Sequence, residues 1–204
     1  MAFTANTAFE VKVSNHEFDS VANITGIFGS YSGDDFTAAD CSAGILCRRV
    51  KLVHNEGYPS GVMNGNTWTM VANTASTTDD VKSSPIYACN THNVQEIADG
   101  AGNVYKVGHR TLGLGIPAGE LGTYTRIKFD GEHMYRFGVG NLSAALSTNG
   151  FLTLANGGQL TPAASAPTSG AYFTVVGSGN FTEGASQSFG YVDAIACYID
   201  ADVS

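Results

Sequence analysis

The stretch TYTRIKFDGEHMYRFGV, residues 123–139, decides the fold class of this chain. Residues that favour extended backbone flank Asp130-Gly131 on both sides. An Asp-Gly pair supplies the positive φ angles of a type I′ turn, whose twist suits a two-residue hairpin. Folding across it is expected to set Phe129 opposite Glu132, Ile127 opposite Met134 and Arg126 opposite Tyr135. Tyr124 and Phe137 then share a face with Arg126 and Tyr135, an aromatic-rich pairing of the kind that stabilises sheets.

The same signal recurs on either side. Asn64-Gly65 in GVMNGNTWTMV is expected to join a strand ending at Met63 to one carrying Trp68 and Met70. Asn149-Gly150 in ALSTNGFLTLA predicts a third hairpin. Further extended segments are expected at 7–14, 44–54, 85–90, 103–107, 171–177 and 189–200. The last of these, FGYVDAIACYID, is nearly continuously apolar, which suits a strand buried on both faces. Helix signals are thin: NHEFDSVANIT at 15–25 is the best, and DDFTAADCSA at 34–43 predicts a short helical turn. NTASTTDDVKSSP (73–85) and GGQLTPAASAPTSG (157–170) read as loops.

The chain is therefore expected to be all-β and mostly antiparallel, a β-sandwich or small barrel with hairpins and at most one or two short helices. It divides either into a β-rich region over 1–92 and a β domain over 93–204, or forms one continuous domain. Composition agrees. The 204 residues include 25 glycines, about one in eight, against a usual share of roughly 7%. Charged residues make up 14%, where about 25% is ordinary.

The net charge of −8 argues against phosphate backbones and anionic membranes as partners. Charge is also unevenly placed. The last basic residue is Arg136, and residues 137–204 carry only Glu183, Asp193, Asp200 and Asp202. Such a segment must bury much of itself against its own core or neighbouring subunits, or else wear a Ser/Thr/Asn coat. The N-terminus has neither the basic nor the apolar region of a signal peptide, so the chain is expected to fold in a cytoplasm. No run reaches the ~18 apolar residues of a membrane span. Cys41, Cys47, Cys89 and Cys197 lack zinc-site spacing and read as small buried thiols.

Catalytic patterns are missing. Gly113, Gly115 and Gly119 in GHRTLGLGIPAGE (108–120) stand one residue too wide for a dinucleotide fingerprint. Pro117 interrupts them, and a strand-like segment follows where a phosphate site needs a helix N-terminus. The element reads as a bend leading into the Asp130-Gly131 region. GSYSG at 29–33 has tyrosine where a serine hydrolase needs its nucleophile. His16, His54, His92, His109 and His133 form no HExxH or HxH pair. Asp34-Asp35 and Asp79-Asp80 lack the alternating pattern of a calcium loop. The chain is not expected to be an enzyme, and no catalytic, metal or cofactor residue is nominated.

Two binding readings stand beside this. Trp68, Tyr58, Tyr135 and Tyr124 could make an aromatic platform for a sugar or peptide, although strand aromatics more often fill cores. In CRRVKLVH, Arg49 and Lys51 alternate with Val50 and Leu52, which suits an exposed, charged strand edge. The N-terminal segment AFTANTAFEVKV either adds a strand to a neighbour's sheet or joins the protein's own.

Residues 94–142, continuing to the C-terminal strands, resemble capsid decoration (auxiliary head) proteins of tailed bacteriophages. The residues that carry the likeness are Gly108, LGLGIPAGE around Pro117-Ala118-Gly119, Arg126, and Phe137-Gly138-Val139-Gly140-Asn141. The resemblance implies a non-enzymatic virion protein that binds the outside of an assembled capsid, with the major capsid protein and copies of itself as partners, often as a trimer. It implies no cofactor, nucleic acid or membrane. A tail-tube protein and a carbohydrate-binding or receptor-binding β module are the alternatives.

Overall fold

The structure, a computed structural model, describes residues 7–12, 23–52, 67–75, 81, 84–90, 95–98, 104–107, 115–146, 150–183 and 187–200. The protein is almost entirely β, and its strands build two layers that meet across one core, with a second core inside the first layer.

The first layer is a five-stranded barrel. Its staves are Asn23–Ser32 (β2), Leu46–Leu52 (β5), Thr67–Ala72 (β6), Ile86–Asn90 (β7) and Gly122–Arg126 (β11), in the order β11-β7-β5-β6-β2. β11 pairs with β2 to close the ring, and all contacts are antiparallel except β2 with β6. Asp35–Ala38 (β3) folds back onto the end of β2. Closure leaves no open edge among the staves, the liability that flat sheets carry. Alternation along each stave then sorts side chains inward and outward. Cys47, Met70, Tyr87, Cys89 and Tyr124 fill the interior, with Ile116 and Cys41 at one end.

The second layer is a six-stranded antiparallel sheet, in order β1-β12-β16-β15-β13-β14. These strands are Phe9–Lys12 (β1), Met134–Gly138 (β12), Phe151–Leu154 (β13), Leu160–Ala163 (β14), Gly170–Glu183 (β15) and Gln187–Ile199 (β16). Its inner face lies on the outside of β5 and β7. Phe137, Phe173, Leu152, Val192, Ala194 and Ala196 meet Leu46, Ile86 and Ala88 there, all of them buried. Phe137 and Phe173 make an edge-on contact with ring centroids 5.4 Å apart. Burying each such ring stabilises the fold by about 1.5–3 kcal/mol. Gln95–Ala98 (β8) and Val104–Val107 (β9) form a separate two-stranded ribbon.

The layers exchange strands along the sequence: β1, near the start, completes the sheet, while β11, from the second half, completes the barrel. A buried asparagine fixes this junction. Asn141 Oδ1 accepts the Ala8 and Gly138 N–H groups, each at 3.1 Å, and its Nδ2 donates to the Ala43 carbonyl at 2.7 Å. Gly44, at φ +75°, lies against the asparagine amide where a Cβ would collide with it.

Several expectations need correcting. Asp130-Gly131 does not close a hairpin. β11 and β12 diverge into different layers, because Ile127 N–H bonds to the Ile86 carbonyl on one side and the His133 carbonyl accepts the Ala196 N–H on the other. Asp130 caps the turn instead, its Oδ1 accepting the N–H groups of Glu132 and His133. Residues 143–146, which would lead into an Asn149-Gly150 hairpin, form no strand; β13 pairs with β14 and β15. Asn64-Gly65 lies outside the described residues.

The helix expected over 15–25 is overridden at its end, where β2 begins at Asn23, and residues 13–22 lie outside the described residues. The helical turn expected over 34–43 is β3 followed by Cys41–Ser42 (β4), whose partner is Gly115–Ile116 (β10). The 157–170 loop contains β14, drawn into the sheet by burial of Leu160. Finally, β16 buries Val192, Ala194 and Ala196 on one face only, while Tyr191, Asp193, Ile195 and Cys197 on the other are half-buried.

The expected strands at 7–14, 44–54, 85–90, 103–107, 171–177 and 189–200 are present as β1, β5, β7, β9, β15 and β16. Of the bend expected over 108–120, residues 108–114 lie outside the described residues and 115–120 do turn. Gly115 approaches the Cys41 backbone so closely that no Cβ would fit, and Glu120 N–H bonds to the Pro117 carbonyl across Gly119 at φ +81°. A positive φ at the third residue defines a type II turn, and β11 follows it.

Candidate interaction face

One face of the six-stranded sheet packs on the barrel, and no described residue packs over the other. Register sets its side chains in cross-strand rows. The longest runs Lys12, Met134, Ile195, Thr174, Phe151 and Ala163, one residue from each strand. Beside it lies Cys197, Tyr172, Thr153 and Thr161, with the Phe151 and Tyr172 rings 6.1 Å apart. On the other side lies Glu10, Arg136, Asp193 and Gly177. Every one of these residues is half-buried. A β-bulge follows Val175, leaving Val176 as the extra residue and 58% exposed.

Four described charges on this face pair with one another. Arg136 grips Asp193 with two parallel bonds of 2.6 Å, from Nε to Oδ1 and from Nη2 to Oδ2. This fork geometry is one that arginine offers and lysine does not. The bond to Asp193 outweighs partial burial and raises the Arg136 pKa, keeping the guanidinium charged. Its plane rests 3.9 Å from the Tyr191 ring centre, a cation–π contact. Glu10 approaches Arg136 at 3.9 Å and binds Lys12 at 3.0 Å.

At the Tyr191 end the face runs into an open groove of about 620 Å³, floored by Val139, Leu142 and Leu146 and walled by Gly179 and Asn180. Val139 is 39% exposed there.

The remaining residues of interest in the sequence do not converge on a second site. Tyr124 and Tyr135 are fully buried in different cores, so they cannot share a platform with Trp68. Burial, with the Lys128 N–H bond and Asp130 as smaller influences, pushes the Tyr135 hydroxyl up to about 12. Trp68 is half-buried with the Arg49 guanidinium 4.7 Å over its ring. The strand carrying Arg48, Arg49 and Lys51 is an interior stave, not an edge: β5 lies between β7 and β6, with a bulge after Arg49, and Arg49 and Lys51 are exposed while Arg48 is half-buried. Asp34 pairs with Lys51 at 3.3 Å. His133 is buried against Asp130, Nδ1 to Oδ2 at 2.6 Å. Tyr58, Asp79-Asp80 and the other four histidines lie outside the described residues, as do Gly108 and Gly113.

Cys41, Cys47 and Cys89 meet inside the barrel beside Tyr124, with the Cys41 and Cys47 sulfurs 3.9 Å apart. Burial pushes all three thiols up, which suppresses the reactive thiolate. Cys197 is half-buried on the open face. Among the described residues no group of three or more His, Cys, Asp or Glu is arranged to hold a metal, and no helix is long and apolar enough to cross a membrane.

Sequence reasoning missed the face because Arg136 and Asp193 stand 57 residues apart. The available signal was alternation within FGYVDAIACYID, obscured because its outer positions are also largely apolar. No family model, curated protein or solved structure matches the chain.

Proposed function

We propose that this protein is a non-enzymatic structural component that works by surface contact, a decoration protein that binds the outside of a phage capsid and stabilises it. The observation that carries the reading is the sheet face over which no described residue packs, with its broad row of half-buried apolar and hydroxyl side chains. Extended apolar surfaces that lack a cover mark contact sites. The low charge of residues 137–204, which supply most of that face, favours the same reading. The phage-head likeness of residues 94–142 supplies the particular partner, the major capsid protein.

Co-sedimentation of the purified protein with empty capsids tests the proposal. Saturable binding that raises the temperature of capsid disruption is expected. No affinity for capsids overturns it, and a sixfold ring in solution would point instead to a tail-tube protein.

A further inference from the structure

We infer that Asn156 is a site of spontaneous chemical modification. Its side chain closes a succinimide ring with the Gly157 backbone nitrogen, water opens that ring to isoaspartate, and the change loosens the hold of the sheet on the barrel.

Placement is the first argument. Asn156–Gly158 is a short 3₁₀ turn in the loop between β13 and β14. The loop reaches from the sheet to the barrel, to the segment that follows β6. There the Gly158 N–H donates to the Asn73 carbonyl at 3.0 Å, and the Ala75 N–H donates to Asn156 Oδ1 at 3.0 Å. Gly158 also lies so close to the Leu46 carbonyl that a Cβ would overlap it. Asn156 and Gly157 themselves are exposed, so water and base reach them.

Chemistry is the second. Among the described residues, Asn156 is the one asparagine that a glycine follows. Asparagine is thermolabile, and glycine brings no Cβ to crowd the closing ring. The Gly157 N–H belongs to the first turn of its helix, where no intrahelical carbonyl accepts it. The bond from Ala75 draws electron density from the Asn156 amide and makes Cγ the better electrophile. The Gly157 nitrogen gives its proton to solvent base and attacks Cγ. A C–N bond forms to Gly157, the bond to Nδ2 breaks, and ammonia leaves. Water then opens the ring. Attack at Cγ yields aspartate; attack at the backbone carbonyl carbon yields isoaspartate, whose chain runs through the former side chain. That detour lengthens the backbone between two anchored points, so the Ala75 and Gly158 hydrogen bonds cannot both be kept.

Peptide mapping of the whole native chain, warmed at mildly alkaline pH, tests the inference. Chymotryptic cleavage after Leu154 and Leu160 isolates Asn156 from every other asparagine. The peptide is expected to gain one mass unit and to separate into two products, isoaspartate the larger, with conversion several-fold faster as the pH is raised. Asn156→Gln is expected to leave the peptide unconverted over the same period. The effect on the fold is read in a chain carrying Asn64→Gln and Asn149→Gln, which removes the other two asparagines that precede glycine. There the converted fraction, separated by its added negative charge, is expected to unfold at a lower temperature than the unconverted one. A native chain that stays unconverted while the free synthetic peptide of residues 155–160 reacts overturns the inference. So does aspartate formed without isoaspartate, or a converted fraction with an unchanged unfolding temperature.

Discussion

Asn141 Nδ2 donates a 2.7 Å hydrogen bond to the carbonyl of Ala43, reaching across 98 residues of sequence to tie the sheet to the barrel. Its Oδ1 serves Ala8 and Gly138 at the same time; the Gly138 N–H also reaches the Ala8 carbonyl at 3.1 Å, so the Ala8 N–H and the Ala43 carbonyl are the groups that lose most without the side chain. Asn141→Ala removes all three bonds from a fully buried position and leaves the Gly138 N–H only its bond to the Ala8 carbonyl. Each orphaned buried group costs about 1–3 kcal/mol. Urea denaturation is expected to show a loss on the order of 3 kcal/mol or more, and a loss below ~1 kcal/mol would refute the tying role.

Gly115 admits no side chain, because a Cβ there would overlap the Cys41 carbonyl and the Ser42 Cα. Both neighbours are backbone and cannot swing aside. Gly115→Ala is expected to open the β4–β10 pairing and lower stability by about 1–3 kcal/mol, the usual cost of overpacking. Thermal unfolding measures it, with Gly119→Asn as a comparison, since Gly119 is exposed and its positive φ suits asparagine.

Acid should weaken the turn at Asp130. Partial burial raises its pKa, but the Glu132 and His133 N–H groups and the nearby imidazole outweigh that and leave it below the ordinary value. A lowered folded-state pKa means the unfolded chain takes up the proton first. The contribution is therefore present above the ordinary carboxylate pKa of about 3.9 and lost as pH falls through the lowered value. Asp130→Asn keeps an oxygen for both N–H groups and removes the titration. Below about pH 4 the stability gap between wild type and variant is expected to narrow; a gap that is constant with pH would contradict this.

Arg136 and Asp193 lie opposite each other on β12 and β16 and are both largely shielded. Arg136→Lys preserves charge but loses the fork and the stacking on Tyr191. It is expected to cost about 1–2 kcal/mol in a denaturation experiment. Equal stability of the two proteins would mean that the paired geometry contributes nothing.

Three of the four thiols should be silent in the native state. Cys41, Cys47 and Cys89 are buried inside the barrel and their thiols are pushed up by burial. A colourless-to-coloured thiol assay is expected to count at most Cys197 before denaturant and the full four afterwards. Fast native reaction of Cys89 would show that the barrel opens.

The strands were legible in the sequence because β propensity and burial are local; the pairing was not. Asp130-Gly131 carries the residue pair of a hairpin turn, and Gly131 does adopt a positive φ of +80°. Yet Ile127 and His133 bond to strands far away in sequence, and those partners decide where the chain goes. The segment 34–43 failed for the same reason, since Cys41–Ser42 finds its partner at Gly115–Ile116. The charged run at Arg48 to Lys51 reads as an edge because Arg49, Val50 and Lys51 are exposed beside a bulge, although β5 has a strand on either side. The candidate face was the least visible, because it exists only once four strands from Glu10, Arg136, Asp193 and Gly177 are set side by side.

The exchange of strands between the two layers governs how the chain can acquire its shape during synthesis. β1 emerges from the ribosome first but must wait for β12, and the early staves remain an open, sticky ribbon until β11 arrives. Neither layer can form as an autonomous early unit, so folding is expected to be late, slow and all at once, as non-local topologies dictate. A nascent chain stalled just short of residue 122 should therefore remain protease-sensitive throughout, whereas one extended past residue 199 should not.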